Sequence, residues 1–262
     1  MRHIYFYHLL LSSTLILFTL SACGNNGQAE SEQELLVAAA SDLTLAFTEI
    51  GPLFEEETGS TLTFSFGSTG QLADQIENGA PFDVFAAANI SFVDNLREKE
   101  FIFADSQTTY AFGRVGIATL PSSSHTVTTL ENLLHRDIKK IAIANPDHAP
   151  YGLAAKQALQ SAGIWDKIEE KLVFGRNISD TLSYIETGNV EAGIIALSLY
   201  KEGDVVFNLI EDDLHEPLEQ SIAVVKRTSQ EELSREFIDF LSGPIGKPIM
   251  ESYGFIVPKE FD

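Results

Sequence analysis

Four short segments place small polar residues or free backbone amides after an apolar run and at the start of a predicted helix. Their candidate binding residues are Ser41, Ser68 and Thr69, Tyr151, and Ile178. The first N–H groups of a helix lack partners within the helix and carry partial positive charge, so each segment can bind an anion. An anion held by four helix starts needs no lysine.

The residues of the second segment, Gly67-Ser68-Thr69-Gly70, also allow other interpretations. It lacks the Lys-Ser/Thr ending and the spacing of a nucleotide-binding loop, so nucleotide binding is not expected. Ser and Thr at helix starts commonly act only as helix caps. The recurrence of four such segments in order, rather than any single one, favours a binding site.

The elements that would position these segments follow from the apolar pattern. Predicted strands cover 35–40, 62–66, 83–87, 115–120, 141–144, 172–174, 193–197, 205–210 and 222–225. Predicted helices cover 41–58, 71–77, 152–161, 179–186 and 233–241. This alternation indicates an α/β fold with largely parallel sheets. Because ligands bind at the carboxyl ends of such strands, the four segments are expected to meet there.

Two places could carry the chain between two lobes, one near residues 110–115 and the other near 220–223. One lobe would then comprise residues 35–112 and 221–262, and the other residues 113–220. Two connections between lobes are typical of a hinge that closes around a ligand.

The N-terminus predicts export. Arg2 precedes the apolar run Leu9–Leu20, which is short for a membrane span and ends in Leu20-Ser21-Ala22-Cys23. That ending resembles the bacterial lipobox and predicts a signal peptide over 1–22, lipidation of Cys23 and a flexible tether over 23–34. The lipid anchor would hold the protein on the periplasmic or extracellular face of a membrane. The alternative is an ordinary signal peptide in which Cys23, the only cysteine, is incidental.

Composition narrows the classes of partner. The net charge of −21 argues against nucleic acid and anionic membrane surfaces, which would repel the chain. The histidines at 3, 8, 125, 135 and 215 show no metal-ligand spacing, and His148 is interpreted as supporting a turn. No metal cation, cofactor or catalytic residue is predicted, and a monomer is expected.

Several motifs together resemble one family. They are Ala38-Ala39-Ala40-Ser41, the stretch from Phe66 to Ile76, the stretch from Gly79 to Phe85, the stretch from Pro146 to Gly152, and Tyr253-Gly254-Phe255. From about residue 35 to the C-terminus the chain is similar to the periplasmic molybdate-binding proteins of ABC importers. The resemblance implies a two-lobed periplasmic-binding-protein fold of type II, with molybdate, and also tungstate, bound in the cleft between the lobes. It also implies ABC permease subunits as partners.

The resemblance assigns the ligand positions one at a time. It implies that Ser41 donates from its hydroxyl and its amide, and that Tyr151 and Ile178 donate from their backbone amides. Thr69 aligns best with the hydroxyl of the second segment, and Ser68 remains the competing choice. The family's fifth donor, a tyrosine hydroxyl, has no counterpart, because Ala196 occupies that position.

Three alternatives remain open from sequence. The ligand could be another tetrahedral oxyanion such as sulfate. A hydrolase could use Ser41 or Thr69 as a nucleophile, although no histidine stands beside either in a recognisable pattern. A surface adhesin or structural lipoprotein is the third alternative, and the four ordered anion-type segments count against it.

Overall fold

The computed structural model describes residues 33–258, whose strands form two five-stranded sheets. The first sheet has the order β2-β1-β3-β10-β4. Its strands are β1 (Glu34–Ala40), β2 (Thr61–Gly67), β3 (Val84–Ala87), β4 (Thr108–Gly113) and β10 (Leu218–Val224). The second sheet has the order β7-β6-β8-β5-β9. Its strands are β5 (Val115–Thr119), β6 (Ile141–Ala144), β7 (Leu172–Gly175), β8 (Ala192–Ala196) and β9 (Val206–Leu209).

Helices follow most of the strands. Around the first sheet they are α1 (Thr44–Thr58), α2 (Thr69–Glu77), α3 (Ile90–Glu98), α7 (Glu231–Ser242) and α8 (Gly246–Ser252). Around the second sheet they are α4 (Pro150–Ser161), α5 (Trp165–Ile168) and α6 (Ile178–Glu186). A 3-10 turn, Ser41–Leu43, joins β1 to α1, and another, Leu197–Leu199, follows β8.

The chain passes from the first sheet to the second between β4 and β5, and it returns between β9 and β10. In each sheet one strand runs against the other four. These strands are β10, antiparallel to β3 and β4, and β5, antiparallel to β8 and β9. Each reversed strand directly follows a passage between the sheets. Both sheets are therefore mostly parallel, as the sequence predicts.

Apolar helix faces cover the first sheet on both sides. On one side Phe47 and Phe54 of α1 meet Phe237 of α7 edge to face, with ring centroids 5.7 and 5.3 Å apart. On the other side Leu72 and Ile76 of α2 join the side chains of α3 in a second apolar cluster. Such packing fixes the strands, and with them the loops at their carboxyl ends.

The element predictions differ from the structure in a few places. Helices α3, α5 and α8 and strand β4 were not predicted, and the strand expected from Ile222 begins at Leu218. Strand β4 lies where the sequence suggested only a connection, because its polar residues obscure the apolar alternation. The predicted end of the first helix at residue 58 is confirmed, since α1 ends at Thr58 and the next residue, Gly59, has the left-handed φ of 72° that glycine tolerates.

The predicted signal peptide over 1–22, the lipidation of Cys23 and most of the tether over 23–34 lie outside the described residues. Among residues 33–258, no helix combines the length and apolar character that crossing a bilayer requires. The anchor at Cys23 therefore stays a prediction.

Candidate functional site

The residues predicted to bind an anion surround one small cavity between the carboxyl ends of the two sheets. It contains about 190 Å³ of space that protein atoms do not occupy, part of which opens to solvent. Its lining includes all five predicted positions, Ser41, Ser68, Thr69, Tyr151 and Ile178. The first three follow β1 and β2 of the first sheet, and the last two follow β6 and β7 of the second. Each segment thus contributes one wall, and folding brings together residues up to 137 positions apart in the sequence (41 to 178).

Hydrogen bonds join the loops of the two sheets around this cavity. Ser179 Oγ donates to the carbonyl of Ser41 at 3.0 Å, and Ser198 Oγ donates to the carbonyl of Asp42 at 2.8 Å. The amide of Gly70 donates to the carbonyl of His148 at 2.9 Å. The cleft is therefore closed, and its walls are in direct contact.

The neighbouring hydroxyls of Ser68 and Thr69 have different partners. Ser68 Oγ lies 2.6 Å from the carbonyl oxygen and 2.7 Å from Nδ1 of His148, across the cleft. Thr69 Oγ1 accepts a hydrogen bond from the amide of Ala88 at 3.1 Å, so its own proton stays available for the cavity. Neither side chain caps its own helix, α2. Plain capping, the simplest alternative for this segment, therefore does not describe either hydroxyl.

The remaining predicted donors are also free to face a ligand. Within the described residues, the structure shows no hydrogen bond made by the Ser41 hydroxyl. Tyr151 and Ile178 lie in the first turns of α4 and α6, where helix geometry leaves their amides without partners in the helix. Asn177, not Ile178 or Ser179, caps α6, by accepting from the amide of Asp180 at 2.9 Å. The cavity lining contains no Lys or Arg side chain.

A buried polar network that the sequence did not predict lies at one side of the cavity. Gln220 of β10 donates from Nε2 to Oδ2 of Asp42 at 2.5 Å and to the hydroxyl of Tyr151 at 3.0 Å. Its Oε1 accepts from the hydroxyl of Tyr110 at 2.7 Å. Glycine at position 113 permits this arrangement, because a Cβ there would lie 2.0 Å from the Tyr151 hydroxyl. No clear sequence signal indicated the network, because Gln220 stands between Glu219 and Ser221 in β10 and its burial follows only from the fold.

Burial perturbs the acidic groups of this network. It raises the pKa of Asp42 to about 6, although the hydrogen bond from Gln220 and the nearby Tyr151 hydroxyl, which does not reach hydrogen-bond geometry with the carboxyl group, favour the ionised carboxylate and lower it. Burial also raises the pKa of Tyr110 and of Tyr151 well above the ordinary value, and the negative charge of Asp42 adds to both shifts. Both phenols are consequently neutral near pH 7.

Ala196, where the family resemblance implies a tyrosine, ends β8 and is fully buried. It does not line the cavity, whereas Tyr151 and Asp42 do. The 3-10 turn that follows Ala196 lies against the turn at Ser41–Leu43, as the Ser198–Asp42 bond shows. Any additional donor for a ligand therefore has to come from another residue.

A larger cavity lies at the opposite edge of the first sheet. Its lining includes Glu34 and Leu36 at the start of β1, Asp83 before β3, and Arg227. Ligands of α/β sheets bind at the carboxyl ends of the strands, and this cavity lies at the amino ends. The smaller cavity between the sheets is therefore the better candidate.

The structure brings together two histidines that show no ligand spacing in the sequence. His125 Nε2 and His135 Nδ1 lie 3.6 and 3.8 Å from Oδ2 of Asp137. None of the three residues lines the cleft cavity. His135 Nδ1 already accepts a hydrogen bond from the amide of Asp137 at 3.3 Å, so its lone pair is engaged. The prediction that the chain binds no metal cation stays a prediction.

Two mostly parallel sheets that enclose a cleft at their carboxyl ends are the architecture of a solute-binding protein. Comparison with known proteins agrees with this class. A family profile described as bacterial extracellular solute-binding protein matches residues 35–256. The chain belongs to this family.

Individual relatives carry more specific names than the family profile does. The molybdate-binding protein ModA of Rhodobacter capsulatus is 34% identical over 225 residues, which cover 85% of this chain and 88% of that protein. A putative ABC transporter substrate-binding lipoprotein of Bacillus subtilis, YvgL, is 29% identical over 95% of this chain and 97% of its own length. The solved structure of the periplasmic molybdate-binding protein of Azotobacter vinelandii superposes with a TM-score of 0.81 at 26% identity, covering 86% of this chain and all of that one.

Proposed function

We propose that this chain is the extracytoplasmic solute-binding protein of an ABC importer, and that it captures molybdate and presents it to the permease. The observation that carries the proposal is the convergence of four helix-start segments from two sheets on one cavity without a cationic side chain. The similarity to proteins named as molybdate-binding supplies the identity of the anion.

The chemistry of the cavity suits a fully deprotonated oxyanion. Burying a dianion is costly unless its oxygens are hydrogen-bonded, and the hydroxyls of Ser41 and Thr69 with the amides of Tyr151 and Ile178 supply such bonds. Neutral dipoles add no countercharge that would itself need to be desolvated. A cage of fixed size that suits molybdate also suits tungstate, which is nearly isosteric, and it leaves the smaller sulfate with stretched bonds.

Closure of the cleft would couple capture to delivery. We propose that each sheet is the centre of one lobe and that both lobes move about the connections at β4–β5 and β9–β10. The lobe boundary expected at residues 220 and 221 falls inside β10, so the first lobe would include the chain up to Gly113 and again from Leu218, and the second lobe residues 115–209. The bonds from Ser179, Ser198 and Gly70 across the cleft support a closed state in which loops of both lobes enclose the ligand. That closed state is the form that the permease would recognise.

Lipidation of Cys23 would tether the receptor to the outer face of the membrane, as a monomer. The relative from Bacillus subtilis, which is named a lipoprotein, supports this part of the proposal.

A serine-type hydrolase is the weaker candidate. The contact between Ser68 and His148 Nδ1 resembles a nucleophile beside a base. However, Ser68 also lies 2.6 Å from the His148 carbonyl, and among the described residues no carboxylate hydrogen-bonds to this histidine. The third group that orients a catalytic histidine is therefore missing from the described contacts.

Calorimetric titration with molybdate, tungstate, sulfate and phosphate tests the proposed function. We expect saturable binding of molybdate and tungstate and a thermal stabilisation of about 2.7 kcal/mol at a molybdate concentration of roughly 100 times Kd, with little effect of sulfate. Ser41→Ala should lose most of this binding, whereas Ser183→Ala, an exposed serine on α6, should retain it. Equal responses to molybdate and sulfate would contradict the assignment.

A further inference from the structure

The carboxyl group of Asp42 has an oxygen that the polar network leaves unused. Asp42 lines the cleft cavity, and its side chain is 1% exposed. Its Oδ2 accepts from Gln220, while its Oδ1 is buried and has no hydrogen-bond partner among the described residues. A buried polar atom without a partner is rare in folded proteins and calls for a ligand, water or proton to complete it.

The groups that face Asp42 supply no positive charge. Gln220 reaches it from β10, Tyr151 from α4 and Tyr110 from β4, and both phenols are neutral near pH 7. On α6, Asp180 is paired with Arg176 at 2.7 Å. The 3-10 turn Leu197–Leu199 contributes only the Ser198 hydroxyl, which donates to the Asp42 carbonyl. The charge of an ionised Asp42 is therefore uncompensated.

An ionised Asp42 conflicts with a molybdate dianion in the same cavity. All four oxygens of molybdate accept hydrogen bonds, and so does a carboxylate oxygen, so no hydrogen bond can form between them. The two negative charges also repel each other, and the repulsion is stronger at a buried site than in bulk water. A single proton on Oδ1 removes both conflicts, because a neutral carboxyl group has an O–H that can donate to the anion.

We propose that Asp42 is an anion-binding residue in its neutral form, that its Oδ1–H donates to the bound molybdate, and that each binding event takes up one proton from solvent. This inference rests on the proposed function. It supplies a donor in a cavity where Ala196 leaves the family's tyrosine position without a hydroxyl.

The direction of the pH dependence follows from the free protein. Burial raises the pKa of Asp42 to about 6, so the carboxyl group is already neutral below that pH and ionised above it. Binding of molybdate above about pH 6 must therefore be accompanied by protonation of the Asp42 carboxyl group. The Kd for molybdate is expected to be flat below that pH and to rise about tenfold for each pH unit above it.

The same residue bears on anion selectivity. Hydrogen phosphate carries a proton and would be bound best by an ionised Asp42 that accepts it. Such binding would take up no proton and would not weaken as the pH rises from about 7 to about 8. Binding of molybdate therefore requires a neutral Asp42, whereas binding of hydrogen phosphate requires an ionised one.

Calorimetric titration of the mature protein in buffers of different ionisation enthalpy, at about pH 7 and about pH 8, measures the protons taken up. For molybdate we expect uptake of about one proton and a roughly tenfold higher Kd at the higher pH. Asp42→Asn places a permanent N–H donor at this position. It should take up no proton, lose the pH dependence, and bind molybdate at least tenfold more tightly than the native protein at about pH 8.

Asp83→Asn is the matched control, because Asp83 is a buried carboxyl group that accepts from Leu36 and Thr228 outside the cleft cavity. It should keep the proton uptake of the native protein. Molybdate binding without proton uptake would overturn the inference alone. Phosphate binding that depends on the Asp42 carboxylate and exceeds molybdate binding at about pH 8 would overturn both the inference and the choice of molybdate. Failure of every anion in the panel to bind would overturn the proposed function, and with it this inference.

Discussion

At the scale of single residues, Ser68 and Thr69 show how two adjacent hydroxyls acquire different roles. The backbone turn that ends β2 directs Ser68 towards His148 and Thr69 towards the amide of Ala88. A hydroxyl has one proton. Ser68 donates it to a protein partner across the cleft. Thr69 only accepts a hydrogen bond from the protein, so its proton can donate to a ligand in the cavity. This difference supports Thr69 as the ligand residue of the second segment.

Replacing these hydroxyls one at a time tests that assignment. Thr69→Ala is expected to weaken molybdate binding by roughly 1.5–3 kcal/mol, the range for a hydrogen bond to a charged group. Ser68→Ala should cost only about 0.5–1.5 kcal/mol, because it removes a bond between neutral groups. Calorimetry provides the measurement, and Thr69→Ser, which keeps the hydroxyl, is the control. A larger loss for Ser68→Ala would make Ser68 the ligand residue.

At the scale of elements, the start of α2 shows that a glycine can determine how closely two loops approach. The amide of Gly70 donates to the carbonyl of His148 at 2.9 Å. A Cβ at position 70 would lie 2.8 Å from that oxygen and 3.0 Å from the Cβ of His148. Both atoms belong to the opposite wall of the cleft, so any larger residue at this position pushes the walls apart.

Gly70→Ala is therefore expected to weaken molybdate binding at least tenfold without destabilising the free protein. Alanine is favoured over glycine inside a helix by about 0.8–1.0 kcal/mol, which offsets any strain once the cleft is open. Calorimetry gives the affinity, and thermal unfolding without ligand gives the stability. Gln71→Ala, at the next and exposed position of α2, should leave both unchanged. Native affinity in the Gly70→Ala protein would show that the contact with His148 does not limit closure.

At the scale of the whole molecule, an acidic protein is proposed to bind an anion. The net charge of −21 repels a dianion at long range, whereas the helix starts and hydroxyls around the cavity attract it only at short range. The long-range field governs the rate of encounter, and the local donors govern the bound state. Affinity and association rate should therefore depend differently on salt.

The association rate of molybdate is expected to rise with ionic strength, because salt screens the repulsion. The Debye length falls from about 30 Å at roughly 0.01 M to about 8 Å at roughly 0.15 M. Stopped-flow fluorescence, with Trp165 as the only tryptophan, can follow the rate. Charge reversal of the exposed pair Glu56 and Glu57 to lysine should speed association at low salt and have little effect at high salt. A rate that falls with added salt would mean that a cationic region guides the anion.

The sequence by itself determined most of the architecture and the positions of the four helix-start segments that line the cleft cavity. Apolar runs of period two and helical faces of period 3.6 depend on local residue order. The mostly parallel α/β fold could therefore be predicted, and the helix starts expected at residues 41, 71, 152 and 179 lie within three residues of those in the structure. Strand β4 was missed because its polar residues obscure the apolar alternation, and its burial in the complete sheet rather than local propensity stabilises it. Helix α3 was missed although it is as amphipathic as α2 and Asn89 caps its start.

Only the tertiary structure decided which side chains meet across the cleft. Gln220 lies 178 residues from Asp42 in the sequence and His148 lies 80 residues from Ser68, and no periodicity encodes such pairs. Burial of Asp42, and the raised pKa that follows from it, likewise depends on the two sheets closing together. Local sequence determines where helix starts place their hydrogen-bond donors. Long-range packing determines which of these donors remain without a protein partner and can therefore bind a ligand.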